Sequence, residues 1–324
     1  MKILITGAGG FIGGHVAEKL AAMNYSVTAF SRQIPLFLAD KNVEIISGDI
    51  CRSADIKKAM EGADAIIHAA AMLAARSYDK EMIFKINYEA TAQIMSYAEK
   101  IGVSKIVHIS TGGVLGNIEH PPVDETAPYK PEDLYEESKM LAEKEVLDYA
   151  KKGLHAVVVR PTWSYGERDK RVFKLIKAIK ERKMFKIGRC QNLQHPVYIS
   201  DLVHGILLAL EKGKKGSVYF IGGSELVTTD TVIDTIARLL SVKLFPFRFP
   251  LGVMKLIASI FDKVYKKYNK EAPFSEAKLG FFIKNRAFSI NKAQTELGYN
   301  PEIHFEPGMA KTIEWYITQK WLIK

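Results

Sequence analysis

Short, continuous apolar runs alternate with segments of helical spacing through the first half of the chain. The runs Lys2–Thr6, Tyr25–Ser31, Val43–Gly48, Asp64–Ala70, Lys105–Ser110 and His155–Arg160 are rich in strand-forming residues. Several are apolar throughout rather than alternating, which predicts parallel strands buried on both faces. Between them, Phe11–Met23, Ser53–Glu61, Glu81–Ile101 and Leu134–Lys152 carry apolar residues three and four apart. Strand and helix in such alternation predict an α/β fold, a doubly wound parallel sheet with right-handed crossovers. Beyond Arg160-Pro161 the rhythm loosens. Helical spacing marks Val172–Lys183, Asp201–Lys212, Thr229–Leu240, Val253–Tyr268 and a terminal helix ending near Trp321, with a short strand over Ser217–Ile221.

Composition narrows the class. A chain of 324 residues, 48% of them hydrophobic, can bury a large core. Two distant cysteines, Cys51 and Cys190, exclude a disulfide framework or a cysteine zinc site and fit a reducing compartment. The first residues lack a signal peptide's pattern, and no apolar run approaches the roughly 18–20 residues of a membrane span. A cytoplasmic protein is expected. The net charge of +10 gathers in 170–189 and 255–270. Neither stretch has a nucleic-acid motif with stacking aromatics, so no nucleic-acid partner is expected and the charge reads as solvated helix faces. Within 251–270, Val253, Leu256, Ile257, Ile260, Phe261, Val264 and Tyr268 form one stripe opposite lysines. That is the pattern of a core-facing helix. The alternative is a basic amphipathic helix in peripheral contact with an anionic membrane.

The first turn carries the clearest chemistry. Thr6-Gly7-Ala8-Gly9-Gly10-Phe11-Ile12-Gly13 follows a buried strand and opens a helix. Gly7 permits the tight turn, Gly10 lets backbone approach a pyrophosphate, and Gly13 lets helix pack on strand. Unpaired N–H groups at the helix start then face the phosphates. Residues 1–165 accordingly read as a dinucleotide-binding Rossmann domain. Residues 166–324 read mostly as a smaller, mixed C-terminal substrate lobe, with Pro196–Lys212 and Ser217–Ile221 returning to the first sheet. The second strand ends Ser31-Arg32 with no acid to hold the ribose hydroxyls. A hydroxyl followed by a guanidinium suits a 2′-phosphate, so NADP is expected in preference to NAD. Arg32 stacked on the adenine is compatible with either cofactor. Asp49 suits the adenine amino group, or equally the cap of a short turn.

Tyr135 and Lys139 stand one helical turn apart and share a face. A lysine cation beside a phenol, helped by a positive nicotinamide ring, favours the phenolate and makes tyrosine a usable acid–base. Thr111, at the carboxyl end of the fifth strand, faces the ligand crevice of such a sheet and can bond a substrate oxygen.

With these residues in place the chain resembles the extended short-chain dehydrogenases/reductases, a family of nucleotide-sugar epimerases and dehydratases, dihydroflavonol reductases and 3β-hydroxysteroid dehydrogenases. The glycine turn, Asp49-Ile50, His68-Ala69-Ala70-Ala71, Asn87, Thr111, Tyr135, Lys139, Arg160-Pro161 and Asp201 follow the family's order across nearly the whole chain. The resemblance implies Thr111, Tyr135 and Lys139 as the catalytic triad. It implies Phe11, Ile12, Ile50, Ala69, Ala70, Asn87 and Pro161 as cofactor-binding positions, with Ala70 on the nicotinamide side. A homodimer through the helices Glu81–Ile101 and Leu134–Lys152 is implied as well. Nucleotide-sugar members place Asn three residues after the arginine of the sixth strand, where this chain has Trp163. An indole cannot do an amide's work. The reductase and steroid-dehydrogenase branch is the nearer fit, with an apolar or aromatic small-molecule substrate near Trp163 and Tyr165. The expected reaction interconverts a secondary alcohol and a ketone; the alternative is an epimerase or dehydratase that keeps its NAD. His68, His108 and His195 read as hydrogen-bonded core residues, and no metal is expected.

Overall fold

The computed structural model describes residues 1–33, 35–39, 41–73, 80–268, 272 and 274–322. Its main sheet is parallel and seven-stranded. Six strands come from the first half of the chain: β1 (Lys2–Thr6), β2 (Ser26–Ser31), β3 (Val43–Ser47), β4 (Ala65–His68), β5 (Lys105–Ile109) and β6 (Ala156–Pro161). The seventh, Val218–Ile221, arrives later and pairs with β6, Val218 opposite Val158. The order runs from Val218–Ile221 through β6, β5, β4, β1 and β2 to β3. It reverses direction between β1 and β4, and that switch point opens a crevice at the carboxyl ends of the strands.

Burial explains the unalternating runs. Ile3, Ile5, Ile67, Val107 and Val157 enter one apolar layer, while Leu4, Ile66, Ile106, Ala156 and Val158 enter the other. Helices cover both faces: α1 (Phe11–Ala22), α2 (Ser53–Met60), α3 (Lys80–Phe84), α4 (Ala90–Ile101) and α5 (Leu134–Lys151). The helical spacing over Glu81–Ile101 hides a break, because Lys85–Glu89 form a π-helical turn between α3 and α4.

The remainder holds a short strand β7 (Trp163–Tyr165), α6 (Lys170–Lys180), α7 (Ile199–Lys212), α8 (Thr229–Leu239), α9 (Leu251–Lys267), α10 (Glu276–Ile283), α11 (Asn291–Leu297) and α12 (Phe305–Thr318). This part is wedged into the first. Phe288 stacks on Phe220 with ring centres 4.5 Å apart, and a Cβ on Gly112 would meet the Phe288 ring at 2.8 Å. Asp201 accepts the amides of Glu302 and Ile303 at 3.1 and 2.9 Å, fixing the approach to α12.

Two expectations need correction. The α9 stripe was expected to face the core, yet Val253, Leu256, Ile260, Val264 and Tyr268 are exposed while Met254 and Ala258 are buried. The helix is apolar on both sides, and periodicity reports only that apolar residues recur, not which side is covered. Tyr165 was expected beside a substrate, yet it is 0% exposed. Its hydroxyl donates to the Phe305 carbonyl and its ring packs against Tyr198 and Phe305, which makes it core. Among the described residues, no helix is long and apolar enough to cross a membrane.

Candidate active site

The glycine turn leaves the start of α1 bare. Gly7 has φ of +72°, and a Cβ there would press to 2.7 Å on the Ala70 backbone, so the β1 and β4 ends lie side by side. A Cβ on Gly13 would come within 2.5 Å of the Gly7 carbonyl, which holds helix tightly to turn. No side chain caps α1 and no acid lies in its first turn. By contrast Asp133 caps α5, Asp169 caps α6 and Thr228 caps α8. The first N–H groups of a helix have no partners within it. Those of Phe11, Ile12 and Gly13 therefore suit a pyrophosphate, and the dinucleotide fits this cradle.

The flanking positions divide. Ser31 abuts Gly9, whose Cβ would sit 2.5 Å from the Ser31 hydroxyl. Arg32 is exposed, and among the described residues no acid pairs with its guanidinium. Asp49 spends one oxygen on the Cys51 amide at 2.9 Å, the short-turn bond that was its other reading, next to buried Ile50. Ala69 and Ala70 follow β4, where their amides face the Thr6 carbonyl and hydroxyl. Pro161 closes β6 and is buried.

Asn87 differs from its expected place at the cofactor. It is 0% exposed, accepts the Met72 amide at 2.7 Å, and donates to the Met72 carbonyl and Ser138 hydroxyl, both at 2.9 Å. Its side chain thus ties the segment at Met72 to Ser138 on α5.

Tyr135 and Lys139 occupy the first turns of α5, and Asp133 caps that helix by accepting the Glu136 amide at 2.8 Å. Lys139 is fully buried. Its ammonium donates to the Ile109 carbonyl at 2.7 Å and to His108 Nε2 at 3.3 Å. Burial lowers its pKa to about 8, against a raising influence from Glu143. The phenol of Tyr135 is pushed up to about 12, mainly by burial. The expected depression by Lys139 is absent from the free chain; the cation that favours the phenolate is Arg171. Thr111 accepts the Gly113 amide at 3.0 Å, and a Cβ on Gly113 would lie 3.2 Å from Glu136, so its turn touches the start of α5.

The histidines are core residues. His68 is bonded on both ring nitrogens, to Thr6 and Thr91, and burial takes its pKa down to about 3. His195 Nε2 bonds the Gly223 carbonyl at 2.8 Å. No cluster fit for a metal exists among the described residues.

Three neighbours of these candidate residues escape a reading of the sequence. Arg171 is exposed, as a solvated basic run predicts, yet Asp169 holds its guanidinium at 3.2 Å and Ser164 lies 3.5 Å from it. The Asp-x-Arg spacing at the start of α6 was the available signal. Arg286 donates to Glu136 at 2.6 Å and to the Gly113 carbonyl at 3.1 Å, bracing the Thr111 turn against the start of α5. Glu143 accepts from Arg160, Ser110 and Tyr129 beneath them. A cavity of about 610 Å³ opens beside α5, lined by Glu132, Asp133, Glu136, Gln194, Phe281 and Arg286 among others. Trp163 backs it through Phe281, their ring centres 6.2 Å apart.

The description "NAD dependent epimerase/dehydratase family" matches residues 3–222, from β1 to just past the last sheet strand. The chain belongs to that family. Its members here are NAD(P)-dependent oxidoreductases and epimerases of the extended short-chain dehydrogenase type, and this chain is such an enzyme. It is 29% identical to the sterol-4-alpha-carboxylate 3-dehydrogenase (decarboxylating) of Schizosaccharomyces pombe, over 98% of each chain. It is 26% identical to a 4-hydroxy-2-methyl-3-oxo-4-farnesyl-3,4-dihydroquinoline-1-oxide ketoreductase of Stigmatella aurantiaca, over 95% of each. Among solved structures, UDP-glucuronic acid 4-epimerase from Bacillus cereus, in complex with UDP-glucuronic acid and NAD, superimposes with a TM-score of 0.80 at 26% identity, covering 99% and 100% of the two chains.

Proposed function

We propose that this enzyme interconverts a secondary alcohol and a ketone on a large apolar substrate, with NADP preferred over NAD. The nicotinamide, when bound, supplies or takes up the hydride. Tyr135 gives the carbonyl oxygen its proton in reduction, or removes the hydroxyl proton in oxidation. Thr111 orients that oxygen. Lys139 holds the nicotinamide ribose and, once charged beside the phenol, eases its ionisation. What carries the reading is the meeting of the Thr111 turn and the Tyr135–Lys139 helix at the strand ends, next to the bare glycine-lined start of α1. The sterol and farnesyl relatives support an apolar substrate, as does Trp163 against Phe281.

The test is stoichiometric. With hydroxysteroids or prenylated ketones, one cofactor should be oxidised or reduced per substrate converted. NAD released only on denaturation, with no net turnover, would instead assign nucleotide-sugar epimerase or dehydratase chemistry.

Cofactor choice has its own measurement. Ser31 and the unpaired Arg32 are read as the 2′-phosphate contact. A charge-assisted hydrogen bond contributes about 1.5–3 kcal/mol, so Arg32→Ala should weaken NADPH roughly tenfold to a hundredfold while NADH changes little. Equal loss for both would defeat the preference.

Lys139 gives a pH signature. Its ammonium is present below about pH 8 and lost above it in the free chain. Cofactor affinity should therefore fall as pH rises through 8, and titration calorimetry of Lys139→Met should show a weaker, pH-independent affinity. A pH-dependence retained in the variant would remove Lys139 from the ribose contact.

A further inference from the structure

The outward side of α9 is apolar. Val253, Leu256, Ile260 and Val264 are 53, 64, 49 and 47% exposed, and spacings of three and four place them on one side of the helix. The opposite side is spent on the protein through Met254 and Ala258. Just upstream, Phe245 and Phe247 are 52 and 69% exposed, their ring centres 5.6 Å apart. An exposed apolar patch of this extent marks an interaction surface.

Charge selects the occupant. Residues 243–270 hold seven basic side chains against one acid, Asp262. That acid is turned onto the Glu276 amide at 2.8 Å. Lys243, Lys255 and Lys263 are exposed and make no ion pair among the described residues. An apolar stripe with one-signed basic flanks is complementary to an anionic bilayer surface. Among the described residues no helix can cross a bilayer, so contact with one would be peripheral. Lys255, on the same helix, also lines the cavity beside α5.

We propose that the outward face of α9, with Phe245 and Phe247, docks on an anionic lipid bilayer. The apolar side chains enter the acyl boundary and Lys243 and Lys263 meet lipid phosphates. A substrate dissolved in that bilayer then reaches the cleft without crossing water. The docking itself is independent of the assigned chemistry.

The test is co-sedimentation of the full chain with phosphatidylcholine vesicles, with or without phosphatidylglycerol. Wild type should bind the anionic vesicles at least about tenfold better than the neutral ones, and added salt should weaken binding. Leu256→Asp/Ile260→Asp should lower anionic-vesicle binding at least about tenfold, and Lys243→Glu/Lys263→Glu should do so by a similar factor. All substituted positions are exposed, and a cooperative thermal melt shows that each variant is folded. Folded wild type that stays in the supernatant would overturn the proposal, as would folded variants that bind like wild type. If Leu256→Asp/Ile260→Asp instead converts a dimer to a monomer in ultracentrifugation and vesicles are not bound, the face belongs to a second copy of the chain.

Discussion

Tyr135→Phe is expected to lower kcat by about 10²–10⁴-fold, the range set by loss of a positioned proton donor, with NADPH affinity unchanged. The variant keeps the ring and removes only the oxygen that exchanges a proton with substrate. The direction of reaction shapes the pH profile. In the free chain the phenol stays protonated up to about pH 12, so a proton is available for ketone reduction across the neutral range. Alcohol oxidation needs the phenolate, whose share falls about tenfold for each pH unit below the pKa. Reduction should be nearly flat from mildly acidic to neutral pH, while oxidation should climb with pH. Both profiles should vanish in Tyr135→Phe. Turnover retained by the variant, measured at 340 nm with either cofactor, would sink the assigned role.

Glu143→Ala is expected to cost on the order of 3–5 kcal/mol of stability, the penalty for stranding a buried charge. Glu143 and Arg160 are 0 and 2% exposed, with 2.6 Å between their nearest charged atoms. The guanidinium lies over the rings of Tyr129 and Phe220, 5.2 and 5.3 Å from their centres, so neither ring offers an acceptor in place of the lost carboxylate. Ser110 and Tyr129 lose their acceptor in the same stroke. Replacing both ions with apolar side chains, Glu143→Leu/Arg160→Met, should recover much of the loss. Denaturant unfolding distinguishes the cases. A loss below about 1 kcal/mol for Glu143→Ala would mean that the pair behaves as a surface one.

The sheet was legible because runs such as Ala156–Pro161 are buried along their whole length, and continuous burial leaves a continuous apolar trace. The glycine turn was legible because Gly7 and Gly13 answer local backbone demands. Contacts formed across the fold leave no such trace. Tyr165 looked available until α12 supplied the Phe305 carbonyl that receives its hydroxyl. Asn87 looked like a ligand contact until the segment at Met72 folded over it. Glu143 is an unremarkable acid in a helical run until β6 brings Arg160 beneath it. The α9 stripe had the correct period and the wrong face, since the choice between two apolar sides is made by α10 and its neighbours.

The late arrival of Val218–Ile221 beside β6 gives synthesis a temporal order. A ribosome releases β6 while its eventual neighbour is still untranslated, so the strand first meets the cell with one unpaired backbone edge. Such an edge is a template for pairing with other chains. At roughly 5–20 residues per second it stays open for seconds. The nascent polypeptide thus exposes the backbone of β6 after the glycine turn has emerged and before Val218–Ile221 takes over the edge, where Glu125 accepts the Phe220 amide at 2.9 Å.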